Sequence, residues 1–397
     1  MRVGVYAGDF APEEGGGHGF VATVLGAFLD HARSSRHEFI VFCEPSHEQA
    51  LAPRCAAAGV ELRALRSRSL FGTGISALRH YAPLAYLLRK WPGRLEAAAR
   101  KHEIQFVWFV PGIAYEALDI PYLGTIWDIQ HRFNPWFPEL AAGGYWEHRE
   151  LVYARFVRRA TQLITGSQVV AEQLALLYQI APQRVSVLPA PVPPMPPAAA
   201  HGSSAALQGL TGNSYFLYPA QFWPHKNHVN LLHALKVLDG LREEKVMLVL
   251  TGADKGNLEH VKQVAASLGL AARVRCTGFV SMGDLSWLYR NALGLVYPSF
   301  NGPMNLPVLE AFSIGCPVLV ADYPGAAEQT GDAALRFDPR DPEHIAQAMH
   351  RLMGDAGLRS ELVRRGRERA APWDGRNYIQ GVFALLDGFE SVRRLWH

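Results

Sequence analysis

The sequence has few cysteines, little net charge and no long hydrophobic run, and each shortage argues against a class of protein. Its four cysteines, Cys43, Cys55, Cys276 and Cys316, are scattered without the spacing of metal ligands. We therefore expect free, mostly buried thiols in a reducing compartment, rather than disulfides or a zinc site. The formal net charge of +3 is too small to indicate a nucleic-acid partner.

Membrane-spanning and secretory patterns are also missing. No apolar run approaches the ~20 residues that a helix needs to cross a bilayer. The chain opens directly on a strand pattern at Met1–Tyr6, which leaves no room for a signal peptide. These features predict a cytoplasmic protein that is at most peripheral on the inner face of the cell membrane.

The sequence does contain a repeated alternation of strand and helix patterns. Its 397 residues exceed one ordinary hydrophobic core, so two domains are expected. Buried strands alternate with helices on both sides of a proline-rich stretch, which indicates two doubly wound parallel sheets. We predict an N-terminal domain at 1–190, a linker at 191–213, a C-terminal domain at 214–372 and an amphipathic helix at 373–397.

A glycine-rich segment, Glu13–Gly19, follows the first strand and precedes a helical pattern. Glycines let the backbone approach a ligand closely, which makes Gly16 and Gly17 candidates for binding. The segment lacks the G-x-G-x-x-G fingerprint with an acidic residue about 20 positions later. Its support for a dinucleotide site is therefore weak.

The segment Arg63–Lys101 carries nine basic residues and a single acid, Glu96. Apolar residues are interleaved with the basic ones at roughly helical spacing. Such a basic amphipathic segment can lie on an anionic membrane surface. The alternative is a core-facing helix with a solvated basic face.

Two polar residues, Asp128 and His131, come directly after the predicted strand 122–126, where ligands bind in this architecture. Asp128 is suited to accept a hydrogen bond from a sugar hydroxyl, and His131 is expected to titrate near neutrality. The alternative is that Asp128 caps the next turn and pairs with Arg132.

Lys226 follows the first strand of the second alternating half and leads into a helix that Asn227 is placed to cap. A lysine ammonium at such a strand end can hold a phosphate as a compact point charge. The alternative is an exposed lysine without a ligand.

The stretch Asn301–Phe312 follows an apolar run at 293–298 that reads as a buried strand. Asn305 as a cap and Pro307 in the first turn are expected to begin a helix that ends at Gly315. The free N–H groups of such a helix start attract anions. Glu310 lies one turn in, where its carboxylate could accept two hydroxyls, as on a ribose. The alternative is an ordinary strand–helix unit with Glu310 on a solvated face.

Four ordered motifs in the C-terminal half resemble those of the group 1, family-four nucleotide-sugar glycosyltransferases. They occupy residues 218–227, 277–281, 306–311 and 324–328. The similarity covers nearly all of the second domain and is weaker in the first. It implies an α/β protein of GT-B architecture, in which two Rossmann-like domains face a cleft and a C-terminal helix crosses back to the first domain.

The resemblance also implies roles for individual residues. The catalytic set would be Lys226, Asp128 and Glu310. The donor-binding set would be Gly16, Gly17, Gln221, Lys226, Phe279, Val280, Met304, Asn305, Leu306 and Glu310. The acceptor-binding set would be Asp128 and His131. No cofactor and no metal are expected beyond the nucleotide-sugar co-substrate, and the sequence shows no Asp-x-Asp pair suited to a metal.

Three positions depart from the family pattern. Its first acidic residue, its phosphate-binding arginine and a histidine fall here on Gly302, Gln221 and Trp127. We expect a bacterial mannosyltransferase-like enzyme that transfers a hexose with retention, from a GDP-sugar rather than a UDP- or dTDP-sugar. Its acceptor would be a lipid-linked or growing surface glycan. The alternatives are a nucleotide-sugar epimerase and a non-catalytic GT-B partner subunit.

Overall fold

A computed structural model describes residues 1–8, 16–65, 92–112, 118–198, 204, 207–210 and 212–396. The chain forms two compact units. Unit 1 comprises Met1–Trp136, Leu140–Pro191 and Asp374–His397, and unit 2 comprises Phe137–Glu139 and Val192–Trp373.

Unit 1 is built on a seven-stranded parallel sheet. Its strands are β1 (Arg2–Tyr6), β2 (Glu38–Cys43), β3 (Glu61–Ala64), β4 (Phe106–Phe109), β5 (Tyr122–Ile126), β6 (Gln162–Thr165) and β7 (Val185–Val187). They lie in the order β3-β2-β1-β4-β5-β6-β7. The strand order reverses between β1 and β4, so this doubly wound sheet has its switch point there.

Helices of unit 1 connect these strands. They are α1 (Gly16–His31), α2 (Pro45–Ala58), α3 (Arg94–Lys101), α4 (Gln130–Phe133), α5 (Pro138–Ala141, of which Pro138 and Glu139 belong to unit 2), α6 (Tyr145–Arg159) and α7 (Gln168–Tyr178). The strands are apolar on both faces because helices cover both sides of a parallel sheet. Val5, Val107 and Leu123 are accordingly fully buried.

Unit 2 repeats this arrangement with six parallel strands. They are β8 (Tyr215–Pro219), β9 (Met247–Thr251), β10 (Val274–Gly278), β11 (Gly294–Tyr297), β12 (Val318–Ala321) and β13 (Ala334–Phe337). The order β10-β9-β8-β11-β12-β13 places the switch point between β8 and β11. Ligands in such sheets bind beyond the carboxyl ends of the strands at this point.

The helices of unit 2 follow the strands in turn. They are α8 (His228–Leu241), α9 (Leu258–Ser267), α10 (Met282–Asn291), α11 (Leu306–Ile314), α12 (Ala326–Thr330), α13 (Pro342–Gly354) and α14 (Ala356–Ala370). One continuous hydrophobic core joins the strands and helices of this unit.

The last helix, α15 (Gly375–Arg393), belongs to unit 1 although it follows all of unit 2 in sequence. It packs against α1. Its Phe383 stacks on Phe39 with ring centroids 5.7 Å apart, and Phe389 lies 4.8 Å from Phe106. The predicted return of a C-terminal helix to the first domain is thus confirmed.

The boundaries between the two units differ in detail from the domain boundaries predicted from the sequence. The unit boundaries fall after Pro191 and after Trp373, so the described residues of the predicted linker 191–213 group with unit 2 from Val192 onward. The four cysteines are free, and all but the half-buried Cys276 are buried.

Two predicted features lie wholly or partly outside the described residues. Most of the basic segment Arg63–Lys101 falls there, as does the beginning of the glycine-rich segment. No helix in the described ranges is long and apolar enough to span a bilayer.

Candidate functional site

The loops that follow β8 and β11 are tied together at the switch point of unit 2. The Phe300 amide donates to the His225 carbonyl over 3.0 Å. The Asn227 side-chain amide donates to the carbonyls of Pro298, at 3.0 Å, and Pro339, at 2.7 Å. Asn227 adopts a left-handed conformation, with φ 61°, and makes no side-chain cap to α8. The prediction that Asn227 caps the helix is therefore wrong, because its side chain bonds the loops around Pro298 and Pro339 instead.

Lys226 is half-buried beside the end of β11. Its ammonium donates to the hydroxyl of Tyr297 over 3.2 Å and lies 5.4 Å from the centre of that ring. The Tyr218 hydroxyl donates to the Lys226 carbonyl at 2.7 Å. Burial raises the pKa of Tyr297, which keeps this partner neutral. The structure thus holds a lysine ammonium against a neutral tyrosine at the switch point.

The start of α11 is fixed by a buried glutamine rather than by its own cap. Asn305 occupies the cap position without a side-chain cap bond, which corrects that part of the prediction. Its amide donates to Gln329 Oε1 over 3.2 Å, and Gln329 Nε2 donates back to the Asn305 carbonyl at 2.9 Å. The Asn305 amide is therefore occupied. No acceptor within the described ranges engages the amides of Met304 and Leu306.

Gly302 is required by the backbone of the same loop. Its φ is +113°, and a Cβ built on it would lie 2.3 Å from Oδ1 of Asn305. The Asn305 side chain in turn donates to the Gly302 carbonyl at 2.8 Å. The space that any side chain at position 302 would need is thus filled by Asn305.

Glu310 lies on the first turns of α11 and is held by one tyrosine. The hydroxyl of Tyr289 donates to Glu310 Oε2 over 2.8 Å. Burial raises the pKa of Glu310, and the Tyr289 hydrogen bond only partly offsets that effect. The second carboxylate oxygen has no hydrogen bond to another described residue, so it is placed to accept one from a ligand.

The two residues after β10 have different surroundings. Phe279 is 64% exposed at the carboxyl end of the strand, whereas Val280 is buried in the hydrophobic core. An exposed aromatic face there can stack on a planar ring. Val280 can support that surface only from beneath.

Asp128 lies just beyond β5 in unit 1, and its carboxylate accepts hydrogen bonds from two groups. The Gln130 amide donates to Oδ1 at 2.9 Å, and the buried Arg149 guanidinium donates to the same oxygen at 3.1 Å. Burial alone would raise the pKa of Asp128, but Arg149 and the Gln130 amide outweigh burial and hold it below its ordinary value. The turn-capping alternative is correct for Gln130, but the arginine partner is Arg149 and not Arg132.

His131 is fully buried. Its Nε2 lies 2.7 Å from Glu150, which also accepts from Arg132 Nε at 2.8 Å and from the Tyr178 hydroxyl at 2.8 Å. Burial, followed by the charge of Arg149, lowers the pKa of His131. The His131 ring therefore contacts protein rather than solvent.

Gly16 and Gly17 lie in the first turn of α1 rather than in the loop that the sequence suggested. The helix begins four residues earlier than a start after Gly19 would place it. Backbone amides of a first helical turn are available for an anion. The two glycines therefore remain candidates at the carboxyl side of β1.

Models of two protein families cover most of the chain. Residues 206–369 match the model described as glycosyl transferases group 1, and residues 19–194 match glycosyltransferase family 4. The chain belongs to the group 1 glycosyltransferases. The family match agrees with the fold, since both units have the doubly wound sheets of GT-B enzymes.

Individual relatives of this glycosyltransferase match it in part. It is 31% identical to the O-antigen chain mannosyltransferase B of Escherichia coli over 42% of its own length and 44% of that protein. It is 27% identical to the O-antigen chain mannosyltransferase RfbU of Salmonella typhimurium over 51% of its own length and 55% of that protein. The glycosyltransferase thus spans about half the length of the curated relatives it matches.

Solved structures cover the glycosyltransferase almost completely. The crystal structure of Anabaena Alr3699/HepE in complex with UDP-glucose is 16% identical, covers 98% of this chain and 100% of its own, and superposes with a TM-score of 0.71. At that identity the likeness supports the GT-B fold alone.

The departures from the family pattern have structural counterparts in this glycosyltransferase. Gln221 Oε1 accepts from the indole of Trp223 at 3.0 Å, so its side chain is part of the loop after β8. Trp127 packs edge-on against Phe20, with centroids 5.5 Å apart, and against Gly112, whose Cβ would lie 2.4 Å from the indole. At both positions the side chain present makes specific contacts with its neighbours.

Sequence reasoning missed the partners that hold the candidate residues. Tyr297, Tyr289 and Gln329 contact Lys226, Glu310 and Asn305 respectively, and each comes from a separate element. The only sequence signal available was a polar group inside an otherwise apolar strand or helix pattern.

Proposed function

We propose that this glycosyltransferase moves a hexose, mannose or a related deoxyhexose, from a nucleotide-diphosphate sugar to a glycan or lipid-linked acceptor of a bacterial surface polysaccharide. The observation that carries the proposal is the grouping of Lys226, the start of α11 and Glu310 along the switch point of unit 2. Similarity to two O-antigen mannosyltransferases supports mannose and therefore a GDP-sugar ahead of a UDP- or dTDP-sugar.

In the proposed donor complex, charge and hydrogen bonds are divided among three groups. Lys226 neutralises the diphosphate, and the amides of Met304 and Leu306 add donors at the positive end of α11. Glu310 accepts the ribose hydroxyls through the oxygen that Tyr289 leaves available. Phe279 stacks on the base, and Val280 supports it from the core.

Stabilising the departing diphosphate is the main chemical task of these residues. Negative charge develops on the leaving phosphate as the glycosidic bond breaks, and a preorganised cation and amides lower the energy of that state. We propose that these groups act without a metal or another cofactor. Asp128, which remains partly exposed and ionised, is proposed to accept a hydroxyl of the transferred or acceptor sugar.

Retention of the anomeric configuration is part of the proposal. We also propose that a lipid-linked acceptor brings the enzyme to the inner face of the membrane.

The proposal is tested by incubating the enzyme with GDP-mannose, UDP-glucose and a dTDP-sugar in the presence of lipid-linked glycans from a polysaccharide-producing bacterium. We expect release of one nucleoside diphosphate that depends on the acceptor, with a product whose anomeric coupling by NMR matches the donor. Lys226→Ala serves as the inactive control. Diphosphate release without an acceptor and with an epimerised sugar would instead indicate an epimerase.

A further inference from the structure

A buried carboxylate holds the residue next to Lys226. Glu139 Oε1 accepts from the His225 amide at 2.9 Å and lies 2.5 Å from His225 Nδ1. Glu139 lies in the short segment Phe137–Glu139, which belongs to unit 2 although the chain on either side belongs to unit 1. A single carboxylate oxygen thus fixes both the backbone and the ring of His225.

The Glu139 side chain is only 5% exposed, and that of His225 is 12% exposed. Burial would raise the pKa of Glu139, but its hydrogen bonds with His225 outweigh burial and lower it. Oε2 of Glu139 is buried without a hydrogen-bond partner within the described ranges. A buried negative charge requires compensation, and the imidazole at 2.5 Å is the nearby group that can supply it.

The carboxylate also determines how His225 presents its ring. Because Nδ1 faces Glu139, this nitrogen carries the proton, and Nε2 is directed away from the carboxylate. Phe137 packs on the ring with centroids 6.0 Å apart and on Phe300 at 5.7 Å. The ring therefore has one orientation, set by a charge on one side and an aromatic ring on another.

A diphosphate bound beside Lys226 would be stabilised further by another positive charge nearby. A nucleoside diphosphate carries about three negative charges near neutral pH, and Lys226 supplies one positive charge. Gln221, on the same loop, is neutral and engaged by Trp223. His225 lies on the turn Pro224–Lys226 directly before Lys226, and its carbonyl is bound by the loop after β11.

We propose that His225, held by Glu139, provides a second, protonatable positive charge at the donor diphosphate. The inference rests on the proposed donor site and deepens it. Binding of the diphosphate and the Glu139 carboxylate both favour the imidazolium, whose Nε2–H donates to phosphate. Glu139 is a positioning residue, and His225 is a binding residue.

The titratable neighbours of His225 include Glu139, Lys226 and His228. The pKa of His228 is lowered to about 3 by burial and by the charges of Lys226 and His225, so His228 stays neutral above pH 4. Glu139 remains ionised over the same range because its pKa is lowered. A change in diphosphate affinity that depends on residue 225 between pH 6 and 8.5 therefore reports on His225.

The test is calorimetric titration of GDP, UDP, dTDP and ADP into wild type at pH 6.0 and 8.5, followed by the tightest of them into the variants. At pH 6.0 we expect His225→Gln to bind about tenfold more weakly than wild type, the effect of losing one charge-assisted hydrogen bond. At pH 8.5 the affinities of wild type and His225→Gln should become equal. Titration of the phosphate itself also changes affinity with pH, but it affects both proteins alike. Exposed His260→Gln is the matched control and should follow wild type at both values.

Two further variants separate charge from structure. Glu139→Gln should move the pH at which affinity falls to a lower value, since the imidazolium loses its buried counter-charge. His225→Lys should bind about tenfold more tightly than wild type at pH 8.5, because its charge persists there; this result does not depend on the stability of His225→Gln. Equal affinities of wild type, His225→Gln and His225→Lys at both pH values would overturn the inference while leaving the donor site intact. If no diphosphate binds wild type, the proposed function fails first.

Discussion

The hydroxyl of Tyr289 on α10 lies 2.8 Å from Oε2 of Glu310 on α11. This contact satisfies one side of a half-buried carboxylate whose pKa is raised by desolvation. A charged group kept in such a place costs stability unless a ligand completes its hydrogen bonds. The arrangement is what a ribose-binding carboxylate needs, because the ligand supplies the missing donors.

Glu310→Gln is expected to separate stability from binding. Because the pKa of Glu310 is raised in the fold, the folded state holds more protons than the unfolded state between the ordinary and the raised value. Stability therefore falls as the pH rises through that window. The neutral variant lacks this loss, so its thermal midpoint at pH 7 should equal or exceed that of wild type, while its nucleoside diphosphate affinity drops at least tenfold.

Tyr289→Phe is the companion variant to Glu310→Gln. Removing the hydroxyl leaves Glu310 with one partner fewer, which should raise its pKa further and weaken diphosphate binding at mildly acidic pH. Calorimetric titration across pH 5 to 8 measures both effects. A Glu310→Gln protein that binds the diphosphate as tightly as wild type would show that Glu310 does not contact the ligand.

Gly302→Ala is expected to destabilise unit 2. The added Cβ would meet Asn305 at 2.3 Å, and the φ of +113° is unfavourable for alanine. The expected cost is about 2 kcal/mol, measured by denaturant unfolding. Gly240→Ala, on α8 with open space around its Cα, is the matched control and should be neutral or slightly stabilising. Equal stability of the two variants would contradict the role given to the loop.

Asp128→Asn tests the network beyond β5. Asp128 has a lowered pKa in the fold, so its stabilising effect is fully present above its ordinary value near 4 and is lost as the pH falls through the folded value. The variant should lose about 2 kcal/mol at pH 7 because Arg149 remains buried without its carboxylate. The difference from wild type should shrink as the pH approaches 3. Exposed Glu147→Gln is the control, and a difference that is constant with pH would contradict the charge pairing.

The sequence predicted the fold well because parallel strands and their helices leave local patterns. The buried run before Asn301 and the glycine at 315 placed β11 and α11 to within a residue or two. The return of α15 to unit 1 was expected only from the family resemblance. No local pattern states which surface a terminal helix covers.

The candidate site was predicted in position but not in detail. Asn227 and Asn305 have the residue type of helix caps, yet each side chain bonds a distant or neighbouring loop instead. His131 lies in the interior beside Glu150, a partner that no local sequence pattern indicated. Such partners come from elements far apart in sequence, and tertiary contacts override local preference at these positions.

The central claim is that unit 2 binds a nucleoside diphosphate through Lys226 and Glu310. The most direct measurement is the shift in thermal unfolding of wild type, Lys226→Ala and Glu310→Ala with GDP, UDP, dTDP and ADP. A ligand at about 100 times its dissociation constant stabilises the folded state by about 2.7 kcal/mol. The account predicts that one diphosphate, GDP foremost, stabilises wild type and that both variants lose the shift. Absence of a shift with all four, or an unchanged shift in both variants, would contradict it.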